Sequence, residues 1–379
     1  MGKKMSVLVV ILSLLMVMAF WVGGCEPAPE PEPEPEPDEE EVVDEEEVVD
    51  GVEVTKIGIA VSSARGDLGW GQTVYEAVRA FEDANPDIEV FFQDAVAYAD
   101  HYDIASDYVD MGCELILGLG YEYIDTWAEV AWENEDIYFA VSCAPHPGSE
   151  GYPPNLASGY FREEQAGYLL GTIAAMMSET GQVGYFSGGD IPCAVKPLNM
   201  YRLGAYETDP DVEVLWAWSG SWADPSLEME TADGLYDMGC DVVFALWNCL
   251  GVVDVAQERD KYMIGSHMKI PIGEDVVLAD YHADVDLLLE FFVNHVEAGT
   301  FEPKVYEFGV DGGFTDVILN EALLPDEVIQ RVEELKEKMI AGELEIPKLI
   351  RVMPANWPEE PVEDLDEYLE PVYENIYID

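Results

Sequence analysis

The residues best suited to chemistry in this sequence are aromatic and polar groups gathered at the ends of short apolar runs, a pattern that suits holding a flat molecule. The run KIGIAV leads into Gly66-Asp67-Leu68-Gly69-Trp70-Gly71-Gln72, with Tyr75 on the helix that follows, and CELILGLG leads into Tyr121. In the second half, VEVLWAWS precedes Gly220-Ser221-Trp222-Ala223-Asp224-Pro225, and CDVVFALW ends in Trp247 with Asn248 next to it. Open parallel sheets bind ligands at the carboxyl ends of their strands. The candidate ligand-binding residues are therefore Asp67, Trp70, Gln72, Tyr75, Tyr121, Trp222, Asp224, Trp247 and Asn248, joined by His267 at the end of KYMIGSH. Rings from two facing walls sandwich a planar guest while Asp and Asn orient its polar edge. Core packing explains any one of these aromatics as well, but four strand ends carrying them together favour a site.

No catalytic arrangement accompanies these residues. The chain has no G-x-S-x-G elbow, Walker loop, H-E-x-x-H or G-x-G-x-x-G fingerprint, and its histidines, His101, His146, His267, His282 and His295, are dispersed. The cysteines Cys25, Cys113, Cys143, Cys193, Cys240 and Cys249 form no C-x-x-C pair and no zinc spacing. Beyond Cys25 they read as buried thiols; an external compartment allows a disulfide, and the sequence assigns none. Neither catalysis nor a metal nor a cofactor is expected.

The N-terminus has the form of an export signal. Lys3 and Lys4 precede an apolar run from Val7 to Val22, and Gly23-Gly24-Cys25 follows, so residues 1–25 read as a lipoprotein signal whose Cys25 takes the lipid. Residues 26–53, a Pro/Glu repeat passing into an acidic block, read as a stiff tether without a core of its own. The net charge is −62, from 79 acidic against 17 basic residues. Nucleic acid requires a basic face and is excluded as a partner. Such an acidic chain suits concentrated salt, where screening relieves self-repulsion.

From Val54 short β-branched runs alternate with amphipathic segments, the strands being KIGIAV, IEVFFQDA, CELILGLG, IYFAVSC, QVGYFSGG, VEVLWAWS, CDVVFALW and KYMIGSH. Helices are expected to begin near Gln72, Ala99, Tyr123, Glu163, Leu198, Ser226 and Val252. Strict alternation of this kind implies an α/β fold whose parallel sheets are covered on both faces. Its length favours two Rossmann-like lobes over one. The strings DMGCE (110–114) and DMGCD (237–241) read as the same helix-to-strand step in each lobe, with Gly112 and Gly239 as C-cap glycines. After His267 a helix from Val285, the strand-like KVYEFGV and a helix from Pro325 complete the body. The expected division is 54–160 plus about 276–310 for the N-terminal lobe, 161–275 plus about 311–347 for the C-terminal lobe, and 348–379 as an acidic tail packed on the body through its aromatics.

From about Lys56 to Pro347 the sequence resembles the basic membrane protein family of substrate-binding lipoproteins, which includes the PnrA-like purine nucleoside receptors. The resemblance is carried by FREEQAGYLLGTIAAMMSETGQVGYFSGGDIP (161–192), by the aromatic-Asp-Pro loop in WSGSWADPSLE (218–228) and by DMGCDVVF. It implies a type I periplasmic-binding-protein fold with a hinged cleft, a small-molecule ligand, an ABC transporter permease as partner and membrane attachment through the N-terminal lipid. It also implies that Trp222, Asp67, Trp70 and Tyr75 hold a base between the lobes. The chain departs from the family pattern at Gly71, where Asn is usual, at His267, where a ribose-gripping Asp is usual, and near Ala283, where a Lys is usual. A small polar, ring-containing solute is the expected ligand, nucleoside-like by family. The alternative functions are a ligand-sensing receptor and an extracellular hydrolase using Asp67 or Asp224.

Overall fold

The computed structural model describes residues 51–358, apart from 68, 145, 146, 150, 223, 247–249 and 269–272. The signal, Cys25, most of the tether, Trp247, Asn248 and residues 359–379 lie outside the described residues.

The chain runs β1 (Lys56–Ala60), α1 (Trp70–Ala84), β2 (Glu89–Gln93), α2 (His101–Asp110), β3 (Leu115–Gly118), α3 (Ile124–Glu133), β4 (Tyr138–Ser142) and β5 (Leu156–Phe161). It continues through α4 (Glu163–Met177), β6 (Gln182–Ser187), α5 (Pro192–Thr208), β7 (Glu213–Trp218), α6 (Pro225–Asp237), β8 (Val242–Ala245), α7 (Leu250–Arg259), β9 (Tyr262–Ser266) and β10 (Val277–Ala283). The remainder is α8 (Val285–Glu297), β11 (Val305–Phe308), β12 (Thr315–Leu319) and α9 (Asp326–Ile340). Two sheets result, ordered β11-β5-β4-β3-β1-β2 and β12-β10-β9-β8-β6-β7, so each strand of one has a counterpart in the other. All pairings are parallel except that of β12 with β10. This is the expected α/β architecture of two Rossmann-like halves.

The repeated DMGC string does the same work twice. Gly112 and Gly239 take left-handed φ values of 77° and 110°. The following amides of Cys113 and Cys240 donate back to Tyr108 O and Leu235 O, closing each helix in a Schellman-type turn. The acidic residue that follows then clamps the first strand of its half. Glu114 accepts from the amides of Thr55 and Lys56, and Asp241 accepts from those of Glu179 and Thr180.

Three strands, β5, β10 and β12, were not expected from the pattern, and α5 starts at Pro192 rather than near Leu198. In LASGYF and VLADYHA the polar residues interrupt the apolar signal, yet both strands are central and nearly every residue in them is buried. Asp280 is fully buried, and its two carboxylate oxygens accept the Met268 amide, each at 3.1 Å. The pairing of β10 with β9 corrects the expected boundary at 276: the chain returns to the first half after Ala283. There α8 packs on α1 and β11 joins β5.

The chain crosses between the sheets at three places that lie side by side. The Arg162 amide donates to Phe308 O, the Asp284 amide to Phe314 O and the Val310 amide to Gln165 Oε1. Phe308 stacks on Phe314 at 4.3 Å, with Phe161 beside it at 6.0 Å. One apolar core runs through both sheets, and a smaller cluster covers the outer face of each. The segment after α9, as far as Trp357, docks on α5 through its main-chain carbonyls. Asn199 Nδ2 donates to Leu349 O and Arg351 O, and the Arg202 guanidinium donates to the carbonyls of Met353, Pro354, Ala355 and Trp357.

Candidate functional site

A cavity of about 480 Å³ opens where the carboxyl ends of the two sheets face each other. The first half contributes Ser62 and Ser63 after β1, Trp70 at the start of α1, Tyr121 after β3, and Ser142 and Cys143 at the end of β4. From the second half come Ile191 and Cys193 after β6, Trp222 after β7, His267 after β9 and Tyr281 on β10. Its volume lies within the usual range for a small-molecule site.

Four of the candidate residues, Trp70, Tyr121, Trp222 and His267, meet in this wall. Trp70 is held by its indole N–H, which donates to Leu119 O at 2.9 Å, and by edge-on contact with Phe161. Its ring reaches His267 with centroids 5.2 Å apart, and His267 in turn meets Tyr281 at 4.9 Å. Trp222 remains 39% exposed at the mouth. Its indole lies over the Gly188-Gly189 turn so closely that a Cβ at Gly188 would stand 2.4 Å from the ring.

Four other candidates do not line the cavity. Asp67 accepts the amides of Gly69, Gly71 and Gln72, capping the start of α1 and so setting Trp70. Gln72 bridges the Gly66 amide and Glu76, while Tyr75 packs on Phe92 beneath the guanidinium of Arg65. Asp224 caps α6 by accepting the Ser226 amide. Trp247 and Asn248 fall outside the described residues. Gly71 has a structural reason too: a Cβ there would stand 2.5 Å from Ala64 O.

Sequence reasoning missed the polar floor of the cavity: Ser62, His101, Glu122, Ser142, Cys143, Glu163 and Cys193. One signal for it was present. Tyr138-Phe-Ala-Val-Ser142-Cys143 and Tyr262-Met-Ile-Gly-Ser266-His267 share a Tyr and a Ser at equal spacing and end the counterpart strands β4 and β9. Cys143 and His267 both adopt left-handed backbone, φ 62° and 61°. Their amides donate to the neighbouring strand at Gly159 O and Tyr281 O respectively. Such conformations in non-glycine residues gather at functional sites.

The electrostatics of the floor are unusual. Glu163 and Glu164 begin α4, and Lys196 from α5 stands 3.8 and 3.4 Å from their carboxylates, fully buried. Burial, reinforced by the Cys143 thiol, pushes Glu163 well above the ordinary carboxylate range. Burial acts the same way on Glu164, but Lys196 and Arg162 outweigh it and hold that carboxyl below its usual value. The result is a Lys196–Glu164–Arg162 charge network, with the Glu163 carboxyl beside it facing the cavity and its pKa raised by burial. Burial likewise lowers His101, which stacks on Tyr123 at 4.0 Å and lies within hydrogen-bond reach of the Ser62 hydroxyl. Ser142 Oγ and Glu163 Oε2 are buried without a hydrogen-bond partner among the described residues. No Lys or Arg among those residues lines the cavity, and no group of three or more His, Cys, Asp or Glu among them is placed to hold a metal ion.

This geometry can bind a flat, polar guest and orient its rim. Residues 54–349 match the family model for PnrA-like ABC transporter substrate-binding proteins. Basic membrane protein A of Borreliella burgdorferi is 26% identical over 306 residues, covering 78% of this chain and 89% of that protein. A purine-binding protein of Brucella abortus is 27% identical over 298 residues, covering 77% and 83%. A solute-binding protein structure from Aeropyrum pernix superposes with a TM-score of 0.68 at 19% identity, over 83% of this chain and all of that one. Its likeness is one of fold, the periplasmic-binding-protein type. The chain belongs to the PnrA-like ABC transporter substrate-binding proteins.

Proposed function

We propose that the cleft captures an uncharged or cationic, ring-bearing polar solute and that the chain delivers it to an ABC-type importer without altering a covalent bond. The observation carrying this reading is the cavity wall: rings from both halves, a carboxyl whose pKa burial raises, and no Lys or Arg among the described residues. An anion transferred there would lose its hydration without gaining a counter-charge, at a cost of several kcal/mol or more. A purine nucleoside or base is flat, uncharged and polar at its rim, and the name of the Brucella relative points the same way. Trp70 and Trp222 supply the faces; Ser142 and Glu163 have hydrogen-bonding capacity to offer the rim.

In this reading residues 54–160 with 285–308 form one lobe and 161–283 with 311–347 the other, closing about the three adjacent chain crossings. Cys25 carries the lipid and the acidic segment after it spaces the lobes from the membrane. A thermal-shift panel in high salt, pairing each nucleoside with its monophosphate, tests the ligand class. The neutral member of a pair is expected to raise the unfolding midpoint and the phosphate to leave it unmoved. Stabilisation chiefly by phosphates or carboxylates contradicts the reading.

A further inference from the structure

We propose that Cys143 and Cys193 are an oxidisable dithiol site in the cavity wall, whose disulfide ties the first half of the molecule to the second. Cys143 follows β4 in the first half and Cys193 sits in the first turn of α5 in the second, yet both line the one cavity. Both are free thiols. They share surroundings as well as a wall: Cys143 Sγ lies 3.6 Å from Glu163 Oε1, and both thiols act electrostatically on Tyr281. Left-handed backbone at Cys143, φ 62°, is the kind of local strain that a structural thiol has no need of.

The neighbouring thiol of Cys193, more than burial, raises the pKa of Cys143. Two thiols in one cavity wall are converted to a disulfide by exchange with an external disulfide, through whichever thiolate forms first. One thiolate attacks the external disulfide and releases a thiol, and the second displaces the other thiol from the mixed disulfide. Two hydrogens leave the protein and the oxidant is reduced to two thiols. Solute-binding proteins of ABC transporters work outside the cytoplasm, where such bonds persist. The resulting bridge crosses the cleft and fixes its width, so the oxidised chain neither opens nor admits solute. Cys113 and Cys240 are internal controls. Each is buried within one half and neither lines the cavity.

The test is to treat the purified full chain with oxidised glutathione and map its cysteine peptides by mass spectrometry. The expected result is loss of two free thiols, one peptide pair linking Cys143 to Cys193, and an unfolding midpoint that rises and is reversed by dithiothreitol. In Cys193→Ser, Cys143 is expected to carry glutathione instead. Separate glutathione adducts on both residues, linkage of either to another cysteine, or two unreacted thiols each overturn the proposal. The map reads covalent structure alone, so its failure leaves the solute-binding reading standing.

Discussion

Trp70 and His267 meet with ring centroids 5.2 Å apart, although one begins a helix of the first half and the other ends a strand of the second. The contact is reinforced by Thr73, whose hydroxyl donates to His267 O at 3.4 Å. These two residues join the halves at the wall of the binding cavity. Trp70→Ala is expected to weaken solute binding by about 1 kcal/mol or more beyond the area lost, because ring stacking goes with the indole. Titration calorimetry with the solute found in the thermal-shift panel reads this directly; unchanged affinity removes Trp70 from the site.

Trp222 depends on a glycine. With a Cβ at Gly188 only 2.4 Å from the indole and 2.7 Å from Ser221 O, Gly188→Ala must push the ring from its seat. Its affinity loss should match that of Trp222→Ala, roughly 1 kcal/mol or more, with an unchanged far-ultraviolet circular dichroism spectrum. If Gly188→Ala binds normally while Trp222→Ala does not, the turn does not position the ring.

The two glutamates at the start of α4 should respond to pH with opposite sign. Glu163 has a raised folded pKa, so its contribution to stability is full below the ordinary value of 4.5 and is lost as pH rises through the folded value. Glu164 has a lowered one, so its contribution is present above 4.5 and is lost as pH falls through the folded value. Glu163→Gln is therefore expected to stabilise the protein at neutral pH and flatten the decline above 4.5. Glu164→Gln should destabilise it at neutral pH by about 3–5 kcal/mol, since it leaves Lys196 buried without its closer partner. Urea unfolding across pH checks both, and equal behaviour of the two variants contradicts the assignment.

Arg202 is a clasp for the segment after α9. Its guanidinium lies over Trp216 at 4.6 Å while donating to the carbonyls of residues 353–357, and burial brings its pKa down to about 10, still protonated at neutral pH. Arg202→Met should cost about 2–4 kcal/mol, the scale of charged hydrogen bonds lost with their buried acceptors. It should also open the chain beyond Leu349 to limited proteolysis. An unchanged cleavage pattern argues against the clasp.

Much of this architecture was legible in the sequence because its signals are local. Alternating apolar runs gave most strands, and DMGC gave the same helix-to-strand step twice. Strands β5 and β10 escaped because Ser158, Asp280 and His282 look like loop residues until their hydrogen bonds are seen; Ser158 Oγ, for instance, accepts the Ala144 amide. Of the candidate site residues, Trp70, Tyr121, Trp222 and His267 line the cavity, and each follows a strand. Asp67 and Asp224 follow strands as well, yet their carboxylates cap helices. Glu163, Ser142, Cys143 and Cys193 share one cavity wall only when two sheets face each other, and nothing within a short stretch of chain encodes that.

The most direct test of the central claim is native mass spectrometry of the full chain exposed to a metabolite extract, followed by release and identification of what it retains. The account predicts one bound uncharged or cationic ring-bearing molecule per chain, recovered with its mass unchanged and retained less by Trp70→Ala and Trp222→Ala. Retention of an anionic solute, recovery of a chemically altered one, or retention by both variants equal to that of the unaltered chain would contradict it.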